Sequence, residues 1–161
     1  MSSRTIRIAP VRKSVVVRAE PARAFEVFTA GIDRWWPKSH GIGNGPVKRS
    51  VIEPRVGGRW YAEYEDGSEV GNGHVRVWEP PSRAVFSWEI SAEWKPDSRV
   101  ASEVEVRFVA EGPGLTRVEV EHRDFEPLGE QGGEKMRKDV DGGWPGLLQL
   151  FAQCVAEAAA A

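Results

Sequence analysis

Apolar residues near the C-terminus recur at the spacing of an α-helix. Between residues 134 and 159 they are separated by steps of four, four, three, one, three and four, and the set is Met136, Val140, Trp144, Leu147, Leu148, Phe151 and Val155. These steps place them on one stripe of a helix with 3.6 residues per turn. A single amphipathic helix cannot bury its stripe on itself, so this helix is expected to lie against a sheet.

The run Asp141-Gly142-Gly143-Trp144-Pro145 interrupts this helical pattern. Each glycine costs about 1 kcal/mol relative to alanine in a helix interior, and proline costs about 3 kcal/mol. Proline is tolerated in the first turn of a helix, where its missing N–H is not needed. The sequence therefore predicts a short helix ending near Asp141, a break or kink, and a main helix that starts near Trp144 and is roughly coaxial with the first.

The chain before this helix alternates between apolar and polar residues, as half-buried strands do. Strands are predicted at 11–19, 47–53, 59–65, 69–79, 83–90, 100–111 and 115–123, with two short helices near 21–28 and 32–36. Within 100–111, Val104 and Val106 share an apolar face, whereas Glu103 and Glu105 lie on a solvated, charged face. One apolar face indicates an antiparallel sheet that is covered on one side. The fold class is α+β, with six to seven strands curved around the C-terminal helix.

Composition limits the class of protein. The 161 residues fit one domain, predicted over 11–161, and the segment 1–10 has no firm pattern and is expected to be partly loose. The net charge of −2 gives no electrostatic signature of a nucleic-acid partner. No apolar run reaches the roughly 18 residues of a membrane span, and no signal region opens the chain, so a cytoplasmic protein with no membrane partner is expected. The single cysteine, Cys154, is interpreted as a structural thiol in a reducing compartment.

Candidate chemistry is sparse. The three histidines, His40, His74 and His122, lack the short spacing of metal ligands, so neither a metal nor a cofactor is predicted. His122 continues the inward phase of Val120, and beside Asp124 it could act as a general acid or base with the usual imidazole pKa of about 6.5. The alternative, which we favour, is that His122 caps the strand through the backbone. No catalytic residue is assigned.

Aromatic residues give the strongest indication of a binding site. Their candidate set, extended by one polar and two apolar neighbours, is Trp35, Trp36, Trp60, Tyr64, Phe86, Trp88, His122, Trp144, Leu148 and Phe151. Small-molecule sites are apolar pockets with a few polar groups. The alternative is a filled core, and the abundance of tryptophan slightly favours a cavity.

Several short motifs together resemble a known family. They are Arg34-Trp35-Trp36-Pro37, Val56-Gly57-Gly58-Arg59-Trp60, Trp78-Glu79-Pro80-Pro81, Trp88, His122-Arg123-Asp124-Phe125-Glu126 and Gly143-Trp144-Pro145. In order and spacing they resemble the Hsp90-ATPase-activator-homologue branch of the START/Bet v 1-like superfamily, from about Val11 onward. The resemblance implies a helix-grip fold, in which a seven-stranded antiparallel sheet wraps a C-terminal helix and encloses a cavity.

Three functions follow from the pattern and the resemblance. The leading hypothesis is binding of a small hydrophobic or aromatic ligand between sheet and C-terminal helix. The second is a cyclase-, hydrolase- or aromatase-type enzyme that uses His122 or Tyr64 in the same cavity. The third is a protein-partner role such as that of an Hsp90 co-chaperone; activation of Hsp90 is not expected, because in the family it uses an additional N-terminal domain, and only about ten residues precede the first strand here. A homodimer is an alternative that the sequence leaves undecided.

Overall fold

A seven-stranded antiparallel sheet forms the body of the molecule. The computed structural model describes residues 7–160, with side chains up to residue 157. The strands are β1 (Val11–Val17), β2 (Val47–Ile52), β3 (Arg59–Tyr64), β4 (Glu69–Glu79), β5 (Arg83–Trp88), β6 (Ser102–Gly112) and β7 (Leu115–Arg123). Their order across the sheet is β1-β7-β6-β5-β4-β3-β2, so each strand from β2 onward pairs with its successor and β1 closes on β7. The predicted α+β helix-grip fold is confirmed.

Two short helices connect β1 to β2 and cover one end of the sheet. They are α1 (Pro21–Thr29) and α2 (Ile32–Trp35), followed by a 3-10 turn at Lys38–His40. Pro21 occupies the first turn of α1, where its fixed backbone angle suits a helix and no N–H is required. Phe28 of α1 packs edge-on against Phe108 of β6, at 5.8 Å between ring centroids, and against Phe151, at 5.2 Å. Helix α1 thereby joins the sheet to the final helix.

The final helix, α3 (Gly129–Ala160), is longer than predicted and continuous. The predicted break between Asp141 and Pro145 is therefore wrong. The stripe residues on both sides of it are buried, with Met136 0% and Trp144 1% exposed. Burying a large apolar side chain contributes about 1.5–3 kcal/mol, so several of them outweigh the local cost of glycine and proline. Pro145 lies on the exposed side, where water can bind the Asp141 carbonyl that proline leaves without a donor.

The segment before β1 contributes to the core where it is described. Ile8 is only 7% exposed and packs in the main cluster of buried residues. Arg137 of α3 donates a hydrogen bond of 2.7 Å from Nε to the carbonyl of Ala9. The predicted loose segment, 1–10, falls partly on residues 1–6, which lie outside the described residues, so its looseness stays a prediction.

Charged side chains on the outer face of the sheet form closer ion pairs than the sequence predicted. Glu105 is only 4% exposed, so the expectation that it simply faces water is wrong. It accepts hydrogen bonds from Arg83, from Arg107 at 2.9 Å and from Arg123 at 2.5 Å. Burial alone would raise the pKa of Glu105, but the three guanidinium groups lower it to about 2. Because arginines surround it on β5, β6 and β7, the carboxylate stays ionised although water is excluded.

Membrane insertion through a helix is not indicated by this architecture. Among the helices of residues 7–160, α3 included, none combines the length and the apolarity that a bilayer span requires.

Candidate ligand-binding site

A cavity of about 500 Å³ lies between the middle of α3 and the sheet. Helix α3 contributes Asp139, Val140, Gly143, Trp144 and Leu147; the sheet side contributes Asn72, Trp88 and Ile90; and the rim consists of Trp36, Ser39, His40, Gly41, Ile42, Gly43 and Trp94. Cavities that hold small molecules in proteins measure about 300–1,000 Å³ and are mostly apolar with a few polar groups. This cavity therefore has the size and lining of a ligand site.

Four tryptophans surround the cavity at different angles. Trp144 of α3 lies 6.1 Å from Trp36 and 6.2 Å from Trp88, measured between ring centroids, and Trp88 lies 6.1 Å from Trp94. The contacts between Trp36 and Trp144 and between Trp88 and Trp94 are edge-to-face, so the rings meet as walls rather than as a stack. Trp36, Trp88 and Trp144 belong to the set predicted from the sequence, whereas Trp94 does not.

Five other predicted residues lie behind this lining instead of on it. They are Trp35, Trp60, Phe86, Leu148 and Phe151, all buried in the main core. The Trp60 ring packs 5.4 Å from Trp36 and 5.6 Å from Trp88, so it supports two of the walls from behind. Trp35 supports Trp36 in the same way, at 5.6 Å between ring centroids. Residues of this kind set the shape of the cavity without reaching its contents.

His122 is fully buried and fixes the orientation of Trp144. The indole Nε1–H of Trp144 donates to His122 Nδ1 at 3.1 Å. Nδ1 must then be the unprotonated nitrogen, so Nε2 carries the proton and donates to the hydroxyl of Ser102 at 2.8 Å. Desolvation lowers the pKa of His122 to about 3. The expectation of an imidazole titrating near 6.5 is therefore wrong, and the predicted backbone cap is replaced by contacts with two side chains.

Tyr64 lies under the rim rather than in the cavity. It is 1% exposed and belongs to a small separate cluster with Val47 and Ala62. Its hydroxyl accepts a hydrogen bond of 2.7 Å from the backbone N–H of Gly43. A Cβ atom at Gly41 would lie 2.7 Å from the Tyr64 hydroxyl, and one at Gly43 would lie 2.6 Å from its ring. The rim therefore lies directly on Tyr64, and only glycine permits this approach.

The opposite rim is attached to α3 by a polar contact that the sequence analysis missed. Trp94 has a backbone φ of 61°, unusual for a residue with a side chain, and its indole N–H donates to Asp139 Oδ2 at 3.0 Å. Lys135 donates to the same oxygen at 2.9 Å and to the carbonyl of Ala92 at 2.6 Å. Burial alone would raise the pKa of Asp139, but the hydrogen bonds from Lys135 and Trp94 lower it. An ionised carboxylate therefore lies at the cavity wall.

Two tryptophans at the cavity, Trp88 in its lining and Trp60 behind it, have indole N–H groups without a hydrogen-bond partner among the described residues. Within the described part of the chain, Nε1 of Trp60 and Nε1 of Trp88 are buried without a partner. An unpaired buried donor costs about 1–3 kcal/mol, and such groups in native structures are uncommon. The shape of this wall is thus maintained at a cost to stability.

Metal binding has no geometric support in residues 7–160. No group of three or more histidine, cysteine, aspartate or glutamate side chains is placed there to hold a metal ion. Cys154 is buried in α3, and desolvation raises the pKa of its thiol. A thiol in this setting is a poor nucleophile.

Comparison with known proteins identifies relatives of the chain. The family model described as "Activator of Hsp90 ATPase homolog 1-like protein" matches residues 18–156. Txn09, described as an anthrahydroquino-γ-pyrone synthase, is 41% identical over 92% of this chain and 97% of its own, with a TM-score of 0.63. CalC, a self-sacrificing resistance protein from Micromonospora echinospora, is 32% identical over 92% of this chain and 95% of its own, with a TM-score of 0.67.

More distant structures share only the fold. NE0264 from Nitrosomonas europaea is 13% identical and has a TM-score of 0.67 over 92% of this chain and 95% of its own. No curated protein matches the chain.

Proposed function

We propose, from the premise that the chain belongs to the Activator of Hsp90 ATPase homolog 1-like family, that its cavity binds a small planar aromatic molecule. The observation that carries the proposal is a cavity of about 500 Å³ with four tryptophans in its lining. The family fold is a ligand-binding fold, and this cavity lies between α3 and the sheet with a rim that opens to solvent at Ser39 and His40. A probe of matching shape is expected to bind with micromolar affinity, about −8 kcal/mol.

The tryptophan lining favours an aromatic over an aliphatic ligand. Aromatic pairs in edge-to-face or offset geometry contribute about 0.5–1.5 kcal/mol beyond the area that they bury. Trp88 and Trp144 belong to different elements, β5 and α3, and both line the cavity, so a flat molecule in it can contact both. One of the two relatives reported above agrees with this class, because Txn09 is described as an anthrahydroquino-γ-pyrone synthase.

A pair of glycines on α3 allows a direct test. Gly143 lines the cavity, whereas Gly142 is exposed, and a Cβ atom at either position would meet nothing within 4 Å. Gly143→Leu is expected to fill the cavity, and Gly142→Leu is its matched control. Both remove a helix-interior glycine, so both are expected to stabilise the fold by up to about 1 kcal/mol.

The measurement is a fluorescence titration with anthraquinone as the probe. We expect micromolar binding by the parent and by Gly142→Leu, and at least a roughly tenfold loss of affinity in Gly143→Leu, a difference of about 1.4 kcal/mol. Equal binding by the two variants would show that the probe lies elsewhere. No binding by the parent to any of a panel of planar aromatic probes would overturn the proposal.

An enzyme that closes rings in the same cavity is the second candidate. It is supported by Txn09, which is 41% identical and described as a synthase, and by His40, an exposed histidine that lines the rim. His122 and Tyr64, on which the sequence-based hypothesis relied, contact the lining from behind and do not support it. His40→Gln would then abolish turnover of a linear poly-β-ketone and keep its binding, whereas a parent without turnover would exclude this candidate for that substrate.

A role with Hsp90 has the weakest support among the three hypotheses. It rests on the name of the family, and neither Txn09 nor CalC is described as a chaperone partner.

A further inference from the structure

The cavity carries one charged group whose hydrogen-bonding capacity is only partly used. We infer that Asp139 selects the ligand: the aromatic molecule bears a hydroxyl group that donates a hydrogen bond to Asp139 Oδ1, so phenols bind in preference to matched molecules that lack a donor. This inference rests on the proposed function and names the chemical class of its ligand.

The two oxygens of Asp139 are in different situations. Oδ2 accepts from Trp94 at 3.0 Å and from Lys135 at 2.9 Å. Oδ1 has no donor among the hydrogen bonds of the described residues, although Asp139 lines the cavity. The two bonds to Oδ2 come from different elements, a loop and the helix itself, so they hold the carboxylate in one orientation. Oδ1 is therefore a pre-oriented acceptor at the edge of the aromatic site.

A carboxylate determines the kind of ligand atom that can approach it. When ionised it accepts hydrogen bonds and cannot donate one, so a carbonyl or ether oxygen placed against it would be repelled. Hydrogen bonds from Lys135 and Trp94 keep the pKa of Asp139 below its ordinary value, so it is ionised at neutral pH. A hydroxyl on an aromatic ring meets both requirements, because its ring lies among the tryptophans while its O–H reaches the carboxylate.

A cationic ligand fits this position less well than a neutral donor. Lys135 lies 2.9 Å from the carboxylate, and Lys138 lowers its pKa from nearby, so two cations of the protein already face it. Hydrogen bonds to an ionised acceptor are nevertheless stronger than those between neutral groups. The site thus favours a donor by hydrogen-bond direction more than by net charge.

The competing explanation is that Asp139 only attaches the Trp94 loop to α3. Asp139→Asn separates the two roles, because the amide oxygen can still accept from Trp94 while the NH2 group replaces the free oxygen with a donor. A purely structural Asp139 then predicts unchanged ligand preference. A selecting Asp139 predicts that the preference for phenols disappears or reverses.

The probes are an anthracenol and its methyl ether, which share the tricyclic ring and differ in the donor. We expect the parent to bind the anthracenol about tenfold more tightly than the ether, as one hydrogen bond to a charged group allows. Asp139→Asn is expected to bring this ratio to about one or below, because its NH2 group can donate to the ether oxygen and not accept from the hydroxyl. Asp141→Asn is the matched control, since Asp141 lies on the same helix outside the cavity lining and pairs with Lys13 at 3.0 Å.

Each outcome decides between the explanations. Equal binding of both probes by the parent would overturn the inference and leave the proposed function standing, whereas no binding of either would overturn both. A preference for the anthracenol that persists in Asp139→Asn would assign the acceptor to another residue. If Asp139→Asn does not fold, Asp139→Ala is the second variant, because alanine is the best helix former. Its expected ratio is again about one, because alanine has no side-chain acceptor for the hydroxyl group.

Discussion

The buried imidazole of His122 leads to a specific prediction about stability and pH. In the folded protein it is neutral, with a pKa lowered by desolvation to about 3, whereas in the unfolded chain the pKa returns to about 6.5. Below pH 6.5 the unfolded state therefore binds a proton that the folded state does not. The contribution of neutral His122 is fully present above about pH 6.5 and is lost as the pH falls towards about 3.

The magnitude follows from linkage between protonation and folding. Each pH unit between the two pKa values costs about 1.4 kcal/mol, so the free energy of unfolding falls by roughly 3 kcal/mol between pH 6.5 and pH 4 through this group alone. The full interval down to a folded pKa of about 3 corresponds to roughly 5 kcal/mol. Either amount is a large fraction of the roughly 5–15 kcal/mol by which domains are stable.

The assay compares urea unfolding of the parent and His122→Gln from about pH 7 to about pH 4. Glutamine can accept from Trp144 and donate to Ser102 but does not titrate, so the variant retains both contacts. The carboxylates titrate alike in both proteins and cancel in the difference. We expect this difference to move by about 3 kcal/mol in favour of the variant as the pH falls. A difference that stays constant with pH would refute the buried neutral imidazole.

Three further substitutions test other parts of the structure. Leu148→Ala, in the buried stripe of α3, is expected to cost about 2–5 kcal/mol in urea unfolding, and a loss below about 0.5 kcal/mol would contradict its packing. Glu105→Gln is expected to cost about 1.5–3 kcal/mol of unfolding free energy at neutral pH, because Arg123 and its neighbours lose a charged acceptor. This cost should fade as the pH drops below 4.5 towards about 2, and a pH-independent cost would contradict the lowered pKa of Glu105. Gly43→Ala is expected to displace the rim from Tyr64 and weaken anthraquinone binding, and an unchanged affinity on folded protein would show that the rim does not shape the site.

The sheet and the helix could be predicted because burial on one face leaves a periodic trace. Strand β7 was predicted at its observed bounds, since Val118 and Val120 alternate with charged residues that pair on the outer face. The stripe on α3 was equally clear, and Met136, Trp144 and Leu148 are all buried as it requires. These features depend on the local spacing of residues, which the sequence displays directly.

The break in α3 was mispredicted because helix propensity is local and packing is not. Gly142, Gly143 and Pro145 do disfavour a helix, but the contacts of Trp144 with Trp88 and His122 come from distant strands. The energy of those contacts cannot be assigned before the sheet is assembled. Tertiary burial then overrides the local preference.

The cavity itself was only partly predictable for a related reason. The inward phase of His122 was read correctly, yet phase does not say whether an inward residue reaches the cavity or stops behind its wall. Trp94 lies in an irregular loop, so no periodicity indicated its direction, and its partner Asp139 is 45 residues away. The position of Asp139, three residues after Met136 and directly before Val140, does place it beside the stripe, and this was the available signal.

The central claim, an aromatic ligand among four tryptophans, can be tested by one nuclear magnetic resonance measurement. The seven tryptophans give separate indole N–H signals in the ¹⁵N-labelled protein, and each can be assigned by substitution. When the anthracenol is added, we expect the largest shifts at Trp36, Trp88, Trp94 and Trp144, which line the cavity, and the smallest at Trp78, which does not. Shifts at Trp78 as large as those of the four, or no shift at any indole at saturating probe, would contradict the account.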